Sequence, residues 1–352
     1  NDPANLCYLT GYETTGYGFL QPLVISLESE PFMVTRYLES FNVYARTWLK
    51  ENYVFTDLQD PYDVIKACLL SLDLKNKNIA YEMSCEYIPN GFDLFLKKCN
   101  QNLTVKDGSG IVESFRLIKS TEELNLMAKA AVVTEKAMQA GLDAVFVGTT
   151  ENMISAEVHH AMFKAGGEYP AVAPYITSGP RCLIGHATWQ QRQIQNNESV
   201  FLELAGCHNR YHTAMMRTLF MGKPSQAVLD AEKVVLEAID TALNVLKAGT
   251  PVAEADRLIR DKTKQIHKTG GKMVSRSGYS IGIAFAPSWD EGHILSLNDN
   301  NHELLQENMT LHIIPWVHGI ESKHVMAISE TVCIGKEGAR SFFSLPRTLY
   351  IK

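Results

Sequence analysis

The stretch VFLELAGCHNRYHTAMMRT, residues 200–218, decides how this chain is read. Residues 200–205 read as a strand in which Phe201, Glu203 and Ala205 share one face. Residues 217–221 read as a second strand, and Tyr211 and His212 follow Glu203 on the turn between them. A glutamate in the middle of an apolar strand needs a reason, because Glu is seldom fully buried without a partner. Either it forms a structural ion pair, with Arg217 on the neighbouring strand as the candidate, or the site desolvates it for a purpose.

The flanking sequence gives the strands a setting. Ser120 and Glu123 form a capping box, after which Leu124, Met127, Ala131 and Met138 recur at helical spacing. Thr149 or Thr150 opens another helix, with Ile154, Val158 and Met162 on one face and Gly166–Gly167 at its end. The pattern then repeats. A helix over residues 226–247 is closed by Gly249. Thr250 and Pro251, as N-cap and first position, open the next helix, which Gly270–Gly271 closes. Strands return at residues 310–317 and 330–334. Two helices followed by strands, twice over, indicate an internal duplication, and the product expected is an α+β domain with a curved antiparallel sheet and helices outside.

The first third differs. Residues 22–26, 31–35 and 78–82 read as strands and residues 40–51 and 63–72 as helices, giving a small α/β unit with a mixed sheet. The expected division is 1–117 and 118–352. With 352 residues, 45% hydrophobic and 20% charged, a two-domain globular protein is expected, long enough to need no disulfide. Seven scattered cysteines without a CxxC pair read as reduced thiols of a cytoplasmic protein. A formal net charge of −6 without a basic stripe argues against nucleic acid, and no apolar run reaches the ~18 residues of a membrane span. The sequence opens at Asn1 rather than Met, so it is read as N-terminally incomplete, which leaves a signal peptide open.

Three segments resemble the creatinase/prolidase family, whose C-terminal domain has the pita-bread fold. RLIKSTEELNLMAKA (116–130) is similar to the family's entry helix, residues 200–218 to its metal-aspartate strand pair, and GYSIGIAFAP (278–287) to its GHGIG segment. With NDPANLCYLTGY (1–12), the resemblance spans nearly the whole chain. Carried onto this sequence, the family's five metal ligands fall on Glu203, Ala214, Tyr279, Ile314 and Ser329, and a further family histidine on Ala286. One carboxylate among five positions cannot hold a Mn²⁺ or Co²⁺ pair. The expectation is no metal and no cofactor.

What remains points to metal-free hydrolysis. His186, in IGHATW, stands seventeen residues before Glu203, where the resemblance implies a catalytic proton shuttle. Alone, a His among apolar residues reads as structural. A buried carboxylate at position 203 can bind an amidinium or guanidinium, or attack its carbon. Tyr211, His212, Tyr279, Trp316 and Glu330 are the candidate substrate-binding residues. Each has a plainer reading, as surface, core or edge-strand groups, and SWDEGH (288–293) reads either as a solvated turn or as a loop closing over the site. The combined runs are most similar to the family's ectoine hydrolase branch, which implies opening of a cyclic amidine to an N-acetylated diamino acid. Creatinase-like amidinohydrolysis, a non-catalytic binding module and, last, a metal-dependent Xaa-Pro peptidase stand as alternatives. The resemblance also implies a homodimer.

Overall fold

A long buried hairpin organises the larger part of this molecule. The computed structural model describes residues 1–72, 78–264, 266, 270–273 and 275–352. The chain divides into two units, Asn1–Arg116 and Leu117–Lys352.

The first unit runs α1 (Pro3–Thr10), β1 (Leu23–Val24), β2 (Phe32–Arg36), α2 (Ser40–Arg46), β3 (Glu51–Phe55), α3 (Pro61–Ser71), β4 (Asn78–Tyr81), α4 (Phe92–Cys99), β5 (Thr104–Asp107) and α5 (Ile111–Arg116). Asp2 caps α1 by accepting from the Ala4 and Asn5 N–H groups, and Gly11 ends it at φ 81°. β1 is antiparallel to β2 and β2 is parallel to β3, the mixed sheet expected, while β4 and β5 form a separate parallel pair. The helix expected over 40–51 stops at Arg46, because Glu51 begins β3. β3, α4 and β5 are not among the expected elements; Phe55 of β3 and Phe92 and Leu96 of α4 are buried in one core, with Val105 of β5 packed against it.

The second unit runs α6 (Thr121–Ala144), α7 (Glu151–Lys164), β6 (Tyr175–Ser178), β7 (Ser199–His208), β8 (Tyr211–Phe220), α8 (Gln226–Val245), α9 (Val252–Thr263), β9 (Gly278–Ser280), β10 (Ser296–Leu297), β11 (Thr310–Ile313), β12 (Trp316–Ile320), β13 (His324–Ala327), β14 (Glu330–Ile334), β15 (Ala339–Ser341) and β16 (Tyr350–Ile351). One sheet has the order β16-β8-β7-β6, another β10-β9-β11-β14-β15, and β12-β13 is a hairpin. α6 and α7 cover the first sheet through Met138, Ile154, Val158 and Met162, and α8 and α9 cover the second through Ala242, Ala255 and Ile259. This is the duplicated two-helix, then-strands pattern. The two sheets are stitched by hydroxyls. Thr331 Oγ1 accepts from Ala214 N and donates to Ala214 O, both at 2.9 Å, and Ser329 Oγ accepts from Met216 N at 2.7 Å.

Several boundaries move for identifiable reasons. Tyr211 and His212 lie in β8, not on a turn, because the hairpin closes on Asn209 and Arg210 alone, at φ 48° and 62°. An arginine tolerates that backbone here because its guanidinium is fixed: it donates to Ala284 O and Tyr169 O and lies over the Tyr169 and Phe285 rings. The strand expected over 310–317 is two strands broken at Ile314–Pro315, where proline has no N–H for the ladder. Pro251 itself is the N-cap of α9, and Thr250 precedes it. α9 ends at Thr263, short of the closure expected at Gly270–Gly271, and residues 265 and 267–269 between them lie outside the described residues. Among the described residues no helix is long and apolar enough to cross a membrane.

α6 crosses β7 at Gly206, whose N–H donates to Thr134 Oγ1 at 2.9 Å. A Cβ there would stand 2.6 Å from Thr134 N and 2.7 Å from Ala130 O, both helix backbone. Gly206→Ala is therefore expected to destabilise the protein by about 1–3 kcal/mol, read as a lower midpoint in urea unfolding.

Candidate active site

Glu203 stands mid-way along β7, opposite Tyr175 on β6 and Met216 on β8. Its residue is 6% exposed, and among the described residues no hydrogen bond reaches its carboxyl group. Burial alone pushes its pKa up to about 8. The ion-pair alternative fails on register. Arg217 is the partner of Leu202, on the opposite face of the hairpin, and its guanidinium pairs with Glu330 at 2.8 Å. Four carbonyls, of Met216, Ser329, Leu345 and Pro346, take its other donors.

Aromatic rings surround the carboxyl. Tyr175 and Tyr279 both feel the Glu203 charge, which adds to the burial that raises their phenol pKa values. The Tyr175 ring lies 5.5 Å from His186 and 5.6 Å from Trp289. Trp289 Nε1 donates to Tyr279 Oη at 3.0 Å, and Tyr279 Oη meets His312 Nδ1 at 2.8 Å. His312 Nε2 meets Ser329 Oγ at 2.7 Å. Phe201, on the Glu203 face of β7, stacks on Trp316 at 5.5 Å and 5°, and the buried Trp316 Nε1 has no hydrogen-bond partner among the described residues. His186 is exposed, in a loop after β6, at φ 59°. Such a backbone is uncommon for a residue with a side chain and marks a held position.

The structure thus brings Glu203, Tyr279, Trp316 and, through Tyr175, His186 into one region. Three other candidates are corrected. Tyr211 points away, its hydroxyl donating to Glu123 Oε1 of α6 at 2.9 Å. His212 is fully buried with both ring nitrogens used: Nδ1–H donates to Arg210 O at 2.8 Å and Nε2 accepts from Ala171 N at 3.0 Å. Desolvation first, then Arg210, holds its pKa down at about 3, so it is a neutral brace for the hairpin. Glu330 is neither a ligand for substrate nor an edge-strand surface group; it is the buried counterion of Arg217 and also takes the Ser341 hydroxyl.

Tyr175 and His312 are not among the sequence candidates, and Trp289 enters only as part of the SWDEGH loop. Tyr175 sits on a four-residue strand after a proline-containing loop, with no alternation to flag it. Trp289 lies in SWDEGH, which is not a solvated turn: Trp289 and Glu291 are buried, and Glu291 pairs with Lys119 at 3.3 Å. His312 looks like one core residue among many in TLHII. The available signal was a polar side chain inside an apolar strand.

With this geometry in view, the comparisons can be placed. The Metallopeptidase family M24 model matches residues 125–336, and the Creatinase/Prolidase N-terminal domain model matches residues 1–118. The chain belongs to family M24. It is 27% identical to an ectoine hydrolase of Halomonas elongata, over 100% of this chain and 92% of that protein. It is 26% identical to an Xaa-Pro dipeptidase of Pyrococcus furiosus, over 68% and 66%. In structure it is similar to a prolidase from Thermococcus sibiricus, with TM-score 0.86, 20% identity and coverage of 99% and 92%. An X-Pro aminopeptidase from Thermotoga maritima gives 0.82 at 21% identity, covering 99% and 94%. The fold is the pita-bread fold of the prolidases and aminopeptidases.

The M24 name implies metal, and the residues here do not fit a metal pair. At the five positions carried over from the resemblance, Ala214 and Ile314 offer alkyl groups. The Tyr279 and Ser329 oxygens are engaged with Trp289, His312 and Met216. Only Glu203 supplies a carboxylate. Among the described residues no group of three or more His, Cys, Asp or Glu is placed to hold a metal ion.

Two measurements follow. Glu330→Gln leaves the Arg217 guanidinium buried without its counterion and is expected to destabilise the fold by about 3–5 kcal/mol, read by urea unfolding. Glu203, with its raised pKa, keeps its proton in the folded state where the unfolded chain, near 4.5, has released it. Its contribution is full below the unfolded value and is lost as pH rises through about 8. Relative to Glu203→Gln, the wild type should therefore lose on the order of a few kcal/mol of stability between these limits, read as unfolding midpoints of both proteins across pH.

Proposed function

We propose that this M24 member hydrolyses a C–N bond in a small zwitterionic substrate with a delocalised cation, without a metal, and that ectoine is the first candidate. The observation that carries this reading is Glu203: a carboxyl group buried among aromatic rings that no hydrogen bond reaches among the described residues. Burial keeps this group protonated in the free site, and an amidinium supplies both the counter-charge that lets it ionise and the N–H donors that it lacks. The faces of Phe201, Trp316 and Tyr175 add attraction for a flat cation. Similarity to the Halomonas elongata ectoine hydrolase over the full chain supports the cyclic amidine as substrate class.

In the proposed reaction the Glu203 carboxylate holds or attacks the amidinium carbon. Water adds its oxygen to that carbon, displacing Glu203 where it has attacked; the ring C–N bond breaks, the oxygen ends as an amide carbonyl, and both water protons end on the departing nitrogen. His186 carries a proton to the departing nitrogen, which leaves as an amine. Electrostatic stabilisation by a buried carboxylate acts on charge already present in the ground state, so its share in catalysis depends on attack or on desolvation of the ring.

The test is turnover of ectoine by metal-stripped protein, with creatine and an Xaa-Pro dipeptide beside it. Ectoine alone should be consumed, and EDTA should leave the rate unchanged. Glu203→Gln and His186→Ala should each lower kcat by about 10²–10⁴-fold while thermal unfolding shows both folded. Creatine turnover would transfer the reading to amidinohydrolysis. Activity that appears only with added Mn²⁺ would overturn the metal-free mechanism, and full activity of both variants would remove the two residues from it.

A further inference from the structure

Tyr279, His312 and Ser329 form a closed hydrogen-bond chain whose protons can be counted. At one end Trp289 Nε1 donates to Tyr279 Oη at 3.0 Å; at the other Met216 N donates to Ser329 Oγ at 2.7 Å. Both end donors are fixed, since neither an indole nor a peptide N–H can reverse. Between them lie two contacts, Tyr279 Oη to His312 Nδ1 at 2.8 Å and His312 Nε2 to Ser329 Oγ at 2.7 Å. The phenol, the neutral imidazole and the serine hydroxyl bring three protons to these two contacts. One hydroxyl proton is left over.

Which hydroxyl keeps it depends on the imidazole tautomer. With the proton on Nε2, the ring donates to Ser329, Tyr279 donates to the ring, and the spare proton is on Ser329. With the proton on Nδ1, the ring donates to Tyr279, Ser329 donates to the ring, and the spare proton is on Tyr279. Ser329 is wholly buried and has no further acceptor among the described residues. A buried O–H without an acceptor carries an uncompensated desolvation penalty. Tyr279 Oη has no acceptor within hydrogen-bond distance either among the described residues, but its donor Trp289 packs on Tyr175, the strand partner of Glu203, so a hydroxyl freed there lies on the side where a ligand held by Glu203 offers an acceptor. Charging the ring would free both hydroxyls, but burial and then Arg276 hold its pKa down at about 3.

We propose that His312 is a positioning residue. Held as the Nδ1–H tautomer, it turns the Tyr279 O–H out of the chain toward Glu203, as a neutral hydrogen-bond donor to the bound ligand. This rests on the reading of Glu203 as the ligand site, and it gives the site a donor beside its one acceptor. A carboxylate alone recognises a cation; the pair recognises a group that is cationic at one atom and accepts a hydrogen bond at another. A cyclic amidine whose carbon has gained an oxygen meets that description.

The test reads the tautomer directly, by two-bond ¹H–¹⁵N correlation spectra of the full chain with ¹⁵N-labelled histidine, without substrate. His212, fixed as Nδ1–H by Arg210 O and Ala171 N, is the internal reference. His312 is assigned by its loss in His312→Gln or, if that variant does not fold, by its response to Tyr279→Phe. The wild-type ring is expected to carry its proton on Nδ1. Tyr279→Phe, which removes the acceptor, should move the proton to Nε2, and Ser329→Ala should leave it in place. A wild-type ring protonated at Nε2, or one that shifts in Ser329→Ala and not in Tyr279→Phe, overturns the proposal. Where ectoine is turned over, Tyr279→Phe should also lower kcat about 10²-fold, the loss usual for one positioned donor; an unchanged kcat overturns the donor role. The spectra need no turnover, so a wrong substrate and a wrong tautomer give different results.

Discussion

The β7–β8 hairpin is sealed from water along almost its whole length, and that constraint governs the second unit. Every residue of β8 and all but the last of β7 are buried. Each polar group there must find a partner inside the protein or carry the desolvation penalty. The hydroxyls of Thr218, Ser329 and Thr331 meet the requirement by bonding backbone groups across the sheets, with Thr218 joined to both N and O of Ala327. Arg217 meets it with Glu330 and four carbonyls, and His212 with two backbone groups. Among the described residues Glu203 is the exception on the hairpin, a carboxyl group that no hydrogen bond reaches, and that makes this region the candidate site.

The same constraint accounts for what occupies the former ligand positions. Several carboxylates around one point repel each other unless a cation neutralises them. Here alkyl, phenol and serine groups stand at four of the five positions, so the single remaining carboxylate faces no like charge from them. Neutral groups can also be tied to one another. The Trp289–Tyr279–His312–Ser329 chain runs from the loop after β9 to the start of β14 and fixes the wall beside Glu203 without introducing net charge. Rigidity comes from the chain, and the site becomes charged only when Glu203 gives up the proton that burial makes it keep.

Much of the fold was legible because it rests on local chemistry. The Ser120–Glu123 capping box and the Ile154–Val158–Met162 stripe are each encoded within a turn or two of helix. The hairpin was harder. Strands buried on both faces do not alternate, so the first residues of β8 looked like a turn. Asn209–Arg210 lacks the glycine that usually signals a two-residue connection. The site was legible in part, since an acidic residue in FLELA stands out against its neighbours, but Tyr211, His212 and Glu330 look equally functional in one dimension.

The sequence by itself determined the duplicated helix-and-strand order, the single carboxylate among the former ligand positions, and the isolation of Glu203 in an apolar strand. Those are matters of residue type and spacing. Only the tertiary structure decided which polar groups are already satisfied. Arg217 chose Glu330 over Glu203 because strand register put it on the opposite face, while His212, on the Glu203 face at the hairpin end, is taken up by Arg210 O and Ala171 N. A side chain's chemistry depends on which partners are within about 3 Å, and residues more than a hundred positions apart set those distances.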